Sequence, residues 1–178
     1  GKLLGIPKVS LKDEDAFEIF NHYRSSAWKL RGVDGPLRSM KETGNDNLYA
    51  YRYDWDDHRR FVVGDFRALI GAAHATEIPL LAGNNKLVGD YGFLMYPRGP
   101  SKKFTSKNMM RFWTNFAKDG VPGKSTSSVQ WSSYNESDKP ESNFIILDNR
   151  SNLKMSSDTN SFESLLNNLH KETKITDL

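Results

Sequence analysis

An aromatic segment bounded by turn residues restricts the fold of this chain more than any other stretch. Residues 47–55 have the sequence NLYAYRYDW, which is rich in the residue types that favour β-strands. Side chains alternate between the two faces of a strand, so Leu48 and Ala50 lie on one face and the three tyrosines on the other. Because both faces carry apolar or aromatic groups, we expect an inner strand of a sheet that helices flank.

Two helices are expected before this strand. Ser10 can cap the first helix, acidic residues follow near its positive end, and Gly32 stops it. Pro36 opens a second, short helix, and Gly44 ends it. The aromatic strand is therefore expected to follow a pair of helices.

The clearest helix of the chain is expected after the strand, from about Thr105 to Lys118. Ser106 is its expected cap, and Gly120 terminates it. Four large apolar side chains recur at helical spacing and predict a face that packs in the core: Met109, Phe112, Trp113 and Phe116.

The last part of the chain is expected to add a hairpin and a helix. Residues 144–147 and 153–155 are two apolar segments separated by Asp148 and Asn149, which is the pattern of a hairpin. Apolar residues at helical spacing predict a final helix over residues 162–169, and the tail after Lys171 is expected to fray.

Composition limits the functions that are open to the chain. Its 178 residues suffice for one domain with a real core, and 37% apolar with 26% charged residues is typical of folded globular proteins. The net charge is only +3 and the basic residues are scattered, which argues against nucleic acid as a partner. No apolar run is long enough to span a membrane. The lack of cysteine excludes disulfides and thiolate chemistry, but it does not fix the compartment.

One histidine lies among unusually small neighbours. Residues 71–81 have the sequence GAAHATEIPLL, so the imidazole of His74 is the only reactive group at a sharp reversal of the chain. Imidazole titrates near neutral pH and can accept and return a proton. From these residues alone, His74 is either a general base or a structural histidine in a tight turn.

The stretch after this histidine is expected to be buried at first and irregular later. Ile78, Leu80 and Leu81 form a short buried segment. Residues 84–103 combine several glycine and proline turn signals with three aromatic residues, Tyr91, Phe93 and Tyr96. This composition predicts a long loop, which either forms a lid or pocket rim or is pinned to the core by its aromatic side chains.

No other motif in the chain supplies a metal site or a nucleophile that could act with His74. The four histidines lie far apart and lack the spacing of zinc sites, so neither a metal nor another cofactor is expected. The acidic pair Asp56 and Asp57 precedes a basic run, and residues 56–60 are expected to be a solvated surface loop. No Gly-x-Ser-x-Gly elbow occurs. The residues therefore offer a general base without a nucleophile.

Three separate stretches together resemble the type-B carboxylesterases. Trp28-Lys29 and Val33-Asp34, followed by the strand at 49–55, resemble the late part of that family. Residues 71–79 are similar to its His loop, and residues 109–120 resemble the helix and glycine turn that follow that loop. Order and spacing agree across about residues 13–155. The family includes bacterial carboxylesterases and cholinesterases, and the bacterial members look most similar.

This resemblance implies an α/β-hydrolase fold, with a mixed and mostly parallel sheet flanked by helices. It also implies hydrolysis of carboxylic esters by a serine, an acid and a histidine through an acyl-enzyme. Of these three residues only the histidine has a match here, at His74, which becomes the implied general base. Glu77 matches an acidic position of the family motif, and we expect it to tie down the loop rather than to act as the triad acid.

The same resemblance implies that residues 1–178 are the C-terminal portion of one hydrolase domain. The chain order in this fold is serine, acid, histidine, so the nucleophile and the acid are expected upstream of Gly1. The implied partners are the N-terminal part of the same esterase, as a second chain, and a small-molecule ester, and this chain alone is expected to be inactive. The alternative is a non-catalytic, cholinesterase-like recognition domain, which is a known use of the same fold.

Overall fold

The computed structural model describes residues 2–3, 6–7, 10–61, 64–89, 92–134, 144–158 and 161–172. Tyr91 and most of the tail that was expected to fray lie outside these described residues.

The first helices form one continuous helical segment. Helix α1 (Glu14–Lys29) runs through a π-helical turn (Leu30–Asp34) directly into helix α2 (Gly35–Glu42). The cap of α1 is Asp13, whose carboxylate accepts a hydrogen bond from the Ala16 amide at 2.9 Å, and not Ser10 as expected. The expected stop at Gly32 was also wrong, because this residue lies inside the π turn. A single glycine weakens a helix by only about 1 kcal/mol, which tertiary packing can override.

Short strands and helices make up most of the other elements. The two-residue strands β1 (Lys2–Leu3) and β2 (Ile6–Pro7) pair antiparallel before α1. After α2 come, in chain order, β3 (Tyr51–Tyr53), β4 (Arg60–Phe61), β5 (Gly64–Asp65), α3 (Phe66–Ile70), α4 (Ile78–Leu81), a 3₁₀ turn (Asn85–Val88), α5 (Gly92–Met95), α6 (Pro100–Asp119), β6 (Phe144–Leu147), β7 (Lys154–Ser156) and α7 (Phe162–Leu169).

The central sheet of the described chain has three strands in the order β3-β6-β7. Strand β3 runs parallel to β6, with Arg52 opposite Ile146, and β6 runs antiparallel to β7, with Ile145 opposite Met155. The predicted hairpin is therefore confirmed. The sheet is mixed as expected, but the described strands make one parallel and one antiparallel pair rather than a mostly parallel sheet.

Helices cover both faces of this sheet. All four residues of β6 are buried, and consecutive ones enter different cores. Ile145 and Leu147 join a cluster with Met109 and Phe112 of α6. Phe144 and Ile146 join a second cluster with Leu37 of α2, and with Leu48 and Ala50 from the segment before β3. The result is a helix–sheet–helix arrangement of the α/β class.

Strand β3 is shorter and more exposed than the sequence suggested. A strand was expected over residues 47–55, but pairing covers only Tyr51–Tyr53. Among the described strands β3 pairs with β6 alone, so these strands place it at an edge of the sheet and not between two neighbours. Tyr51 is 38% exposed. The other edge of β3 therefore carries backbone groups that no described strand pairs.

Helix α6 begins earlier than expected, at Pro100. Proline is well suited to the first position of a helix, since its missing N–H would have no intrahelical partner there. Ser106, the expected cap, is buried inside the helix and donates a hydrogen bond to the Leu80 carbonyl at 2.6 Å. Gly120 ends the helix in the left-handed conformation, with φ of +72°, as predicted.

The expected long loop over residues 84–103 contains the 3₁₀ turn, α5 and the start of α6. Tyr96 within it is 1% exposed, and its ring stacks on that of Trp55 with centroids 5.9 Å apart. Of the two alternatives for this stretch, the buried Tyr96 supports an attachment to the core through an aromatic side chain. The expected burial of the segment Ile78–Leu81 is found only in part. Leu80 is fully buried, but Ile78 is 49% exposed.

Candidate functional site

His74 lies where the chain reverses between α3 and α4. Two residues near it have a positive φ, Gly71 at +53° and Ala75 at +68°. An alanine in the left-handed region costs about 1–2 kcal/mol, and such strain is concentrated at functional sites. The His74 side chain itself is exposed. The sharp reversal predicted from the small residues is thus present, and it presents the imidazole at the surface.

Hydrogen bonds to Thr76 hold this loop from beneath. The phenol groups of Tyr96 and Tyr53 donate to the Thr76 carbonyl at 2.9 and 3.4 Å. The Thr76 hydroxyl donates to the Ala73 carbonyl at 2.6 Å. The loop is therefore fixed to β3 and to the residue that follows α5.

The two tyrosines that hold the loop are poor acids. Burial, together with the negative charge of Glu77, raises the pKa of Tyr96 to about 12. Burial is also the main cause that raises the pKa of Tyr53 well above its usual value. Both phenols therefore keep the proton that they donate to Thr76 at neutral and moderately alkaline pH.

We expect the free energy of unfolding to fall between pH 10 and about 12. In the unfolded chain a tyrosine ionises near pH 10, whereas folded Tyr96 ionises near 12, so unfolding releases a proton in this range and the stabilisation is lost as the pH rises. Below pH 10 the contribution is fully present. Urea unfolding measured at several pH values should show this fall, and the slope should be shallower in Tyr96→Phe. An unchanged slope in that variant would contradict the assignment.

A buried histidine that the sequence did not single out holds the start of the loop. His58 is 6% exposed, although residues 56–60 were expected to be a solvated loop. Its Nδ1 and Nε2 atoms lie 2.6 and 2.8 Å from the carbonyl oxygens of Met95 and Gly71. His58 therefore joins the end of α5 to the end of α3. The signal that the sequence offers is the position of His58, three residues after Trp55 at the end of the aromatic segment. In the structure the His58 ring packs edge to face on the Trp55 indole.

The acidic pair in the same segment is also partnered rather than simply solvated. Asp57 accepts a hydrogen bond from the Ser101 hydroxyl, and Ser101 accepts one from the Trp55 indole at 3.0 Å. Asp56 pairs with the Arg67 guanidinium at 2.9 Å, which raises the pKa of that arginine. These contacts connect the end of the aromatic strand to α3 and α6, which flank the loop.

The His74 side chain borders a groove of about 790 Å³. It is lined by residues of α1 and the π turn, such as Trp28, and by residues of β3, such as Arg52. The indole of Trp28 packs on the imidazole with ring centroids 4.9 Å apart and planes at 46°. None of the described residues hydrogen-bonds to either ring nitrogen of His74. Both nitrogens are therefore available to groups that enter the groove.

Glu77 lines the same groove, and its carbonyl accepts hydrogen bonds from the amides of Leu80 at 3.0 Å and Leu81 at 2.9 Å, whereas its carboxylate has no hydrogen-bond partner among the described residues. Its negative charge contributes to the raised pKa values of Tyr51, Tyr53 and Tyr96, so its carboxylate lies near all three phenols. The hydrogen bonds to Thr76 given above hold the loop as well.

The described residues lack the features that would indicate a metal site or a membrane-spanning helix. No group of three or more histidine, aspartate or glutamate side chains in that part of the chain is arranged to hold a metal ion. None of the helices found there combines the length and the hydropathy needed to cross a bilayer.

Comparison with known proteins gives a match to one family model. Residues 32–164 match the model described as the carboxylesterase family. The matched range contains the His74 loop, the three strands of the central sheet and α6. No curated protein and no solved structure gives a significant match.

Proposed function

Because the chain belongs to the carboxylesterase family, we propose that it acts in the hydrolysis of carboxylic esters and supplies His74 as the general base. Family membership supports ester hydrolysis in general. The assignment of His74 is carried by one observation: the imidazole is exposed to a groove while the loop beneath it is fixed at Gly71 and Thr76. A rigid loop with a free imidazole is what a general base requires.

In the proposed reaction His74 takes part in four proton transfers. It accepts the proton of a serine hydroxyl as that oxygen attacks the ester carbonyl, and it then protonates the leaving alcohol. It next accepts a proton from the water that attacks the acyl-enzyme, and it returns this proton to the serine oxygen as the acid is released. One ring nitrogen performs these transfers, while a carboxylate at the other nitrogen holds the ring. The lack of described partners at both nitrogens is compatible with these two contacts.

We place the nucleophile and the acid in polypeptide upstream of residue 1, which with residues 1–178 would form one α/β-hydrolase domain. Two observations support this division. No Gly-x-Ser-x-Gly elbow occurs in the chain, and serine precedes histidine in this fold. The residues of β3, whose other edge no described strand pairs, line the His74 groove. A further strand at that edge would bring its residues close to the imidazole.

A covalent label tests the proposal and the division of the domain together. We expect the intact protein that contains this chain to hydrolyse p-nitrophenyl acetate, and a fluorophosphonate to stop turnover by forming one adduct with a serine. Peptide mass spectrometry should locate this adduct outside residues 1–178. An adduct on a serine of this chain would contradict the division. Absence of both turnover and adduct over a panel of esters would instead favour a non-catalytic recognition domain.

A further inference from the structure

Trp28 is the aromatic residue that the described chain places against His74. The two rings come from different elements, α1 and the loop between α3 and α4, and their centroids lie 4.9 Å apart. Trp28 is 53% exposed, so its position does not follow from burial in a core. None of the described residues hydrogen-bonds to the His74 imidazole. Its position relative to the described chain is therefore set by its own loop and by the contact with the Trp28 ring.

The π turn also contacts the indole of Trp28. A Cβ atom added at Gly32 would lie 3.4 Å from Cδ1 and 3.6 Å from Nε1 of Trp28. The backbone of the turn therefore lies directly against the indole. π-Helical turns inside α-helices occur frequently at functional sites, where they redirect side chains.

Ion pairs fix the end of α1 that carries this tryptophan. The ammonium group of Lys29 lies 2.7 Å from a carboxylate oxygen of Asp34 and 3.0 Å from one of Asp158. All three side chains are less than a quarter exposed, so these pairs are partly shielded from solvent. Lys29 therefore connects the last turn of α1 to the end of the π turn and to the segment after β7.

We propose that Trp28 is a positioning residue for His74, an inference that rests on the proposed function of that histidine. The torsion that rotates an imidazole about its Cβ–Cγ bond has broad energy wells. An indole on one ring face narrows this rotation and directs the two nitrogens along the groove. The same contact keeps water from that face of the base. Correct orientation of a catalytic group contributes strongly to rate, and a misplacement of about 1 Å can cost roughly a hundredfold.

Two substitutions at Trp28 and one control test this role in the intact protein. Trp28→Ala is expected to lower kcat for p-nitrophenyl acetate by about tenfold to a hundredfold, with a smaller change in KM. Trp28→Phe keeps an aromatic face and should recover most of the lost kcat. Phe20→Ala is the matched control, because Phe20 is a 50% exposed aromatic residue of the same helix. This control should leave kcat unchanged.

A second measurement follows the contact itself, independently of activity. The protein is labelled with ring-¹³C histidine, and the His74 signal is identified by its absence in His74→Gln. Trp28→Ala should move this signal, because the ring current of a neighbouring indole is lost, and Phe20→Ala should not. An unmoved signal would overturn the contact. A moved signal with unchanged kcat would overturn the positioning role and leave the proposed function intact. If Trp28→Ala moves the signal but the wild-type protein hydrolyses no ester, the proposed function is overturned and, with it, the positioning role of Trp28.

Discussion

Replacing His74 with glutamine in the intact protein is expected to lower kcat for ester hydrolysis by at least about four orders of magnitude. Glutamine is polar and similar in length, but its amide cannot accept a proton at neutral pH. The serine would then attack without a base, and the leaving alcohol would depart without an acid. Because the side chain is exposed, we expect the free energy of unfolding to change by less than about 0.5 kcal/mol. Steady-state kinetics and urea unfolding of the same preparation measure both quantities.

A second histidine offers a matched control for this substitution. His170 is exposed and follows α7, and it does not line the His74 groove. His170→Gln should therefore retain the wild-type kcat. If His74→Gln also kept its turnover within about tenfold of the wild type, His74 could not be the general base.

Elements with a strong local pattern were predicted well from the sequence. The hairpin of β6 and β7 was recognised because four consecutive apolar residues precede the turn formers Asp148 and Asn149. The end of α6 at Gly120 was recognised because a helix commonly closes with a glycine in the left-handed conformation. In both cases the information lies within a few neighbouring residues, which is why sequence alone suffices.

Features that depend on distant contacts were missed. The burial of His58 results from the carbonyl groups of Met95 and Gly71, which lie elsewhere in the chain. The contact between Trp28 and His74 likewise joins two elements that show no common pattern. The π turn was missed because a glycine usually ends a helix, whereas here the helix continues through Gly32.

Short helices without a full period of apolar residues were also missed. The 3₁₀ turn and α5 have four residues each, about one helical turn, so no repeating apolar pattern can develop within them. The candidate site itself was partly predictable. The small residues predict the chain reversal that carries His74, but the groove depends on how α1 and β3 are arranged around it.

Helix α4 follows the His74 loop, and substitutions at two leucines test how much the packing of this helix contributes to stability. Leu80 of α4 is fully buried in the core cluster against α6, whereas Leu87 of the 3₁₀ turn is 56% exposed. Leu80→Ala removes buried methyl groups and leaves a cavity, so we expect the free energy of unfolding to fall by about 3 kcal/mol. Leu87→Ala should change it by less than about 0.5 kcal/mol. Urea unfolding of both variants gives the comparison.

The same two substitutions show whether the packing of α4 also positions the imidazole of His74. The Leu80 carbonyl accepts the hydrogen bond from Ser106, so α4 is attached to α6 three residues after Glu77 and close to the His74 loop. If the cavity lets α4 shift, kcat should fall in Leu80→Ala even under conditions where the variant is fully folded, because small displacements of a catalytic group are costly. Leu87→Ala should keep its kcat. Equal losses of stability in the two variants would contradict the packing of α4 on α6, since an exposed leucine leaves no cavity when it is truncated.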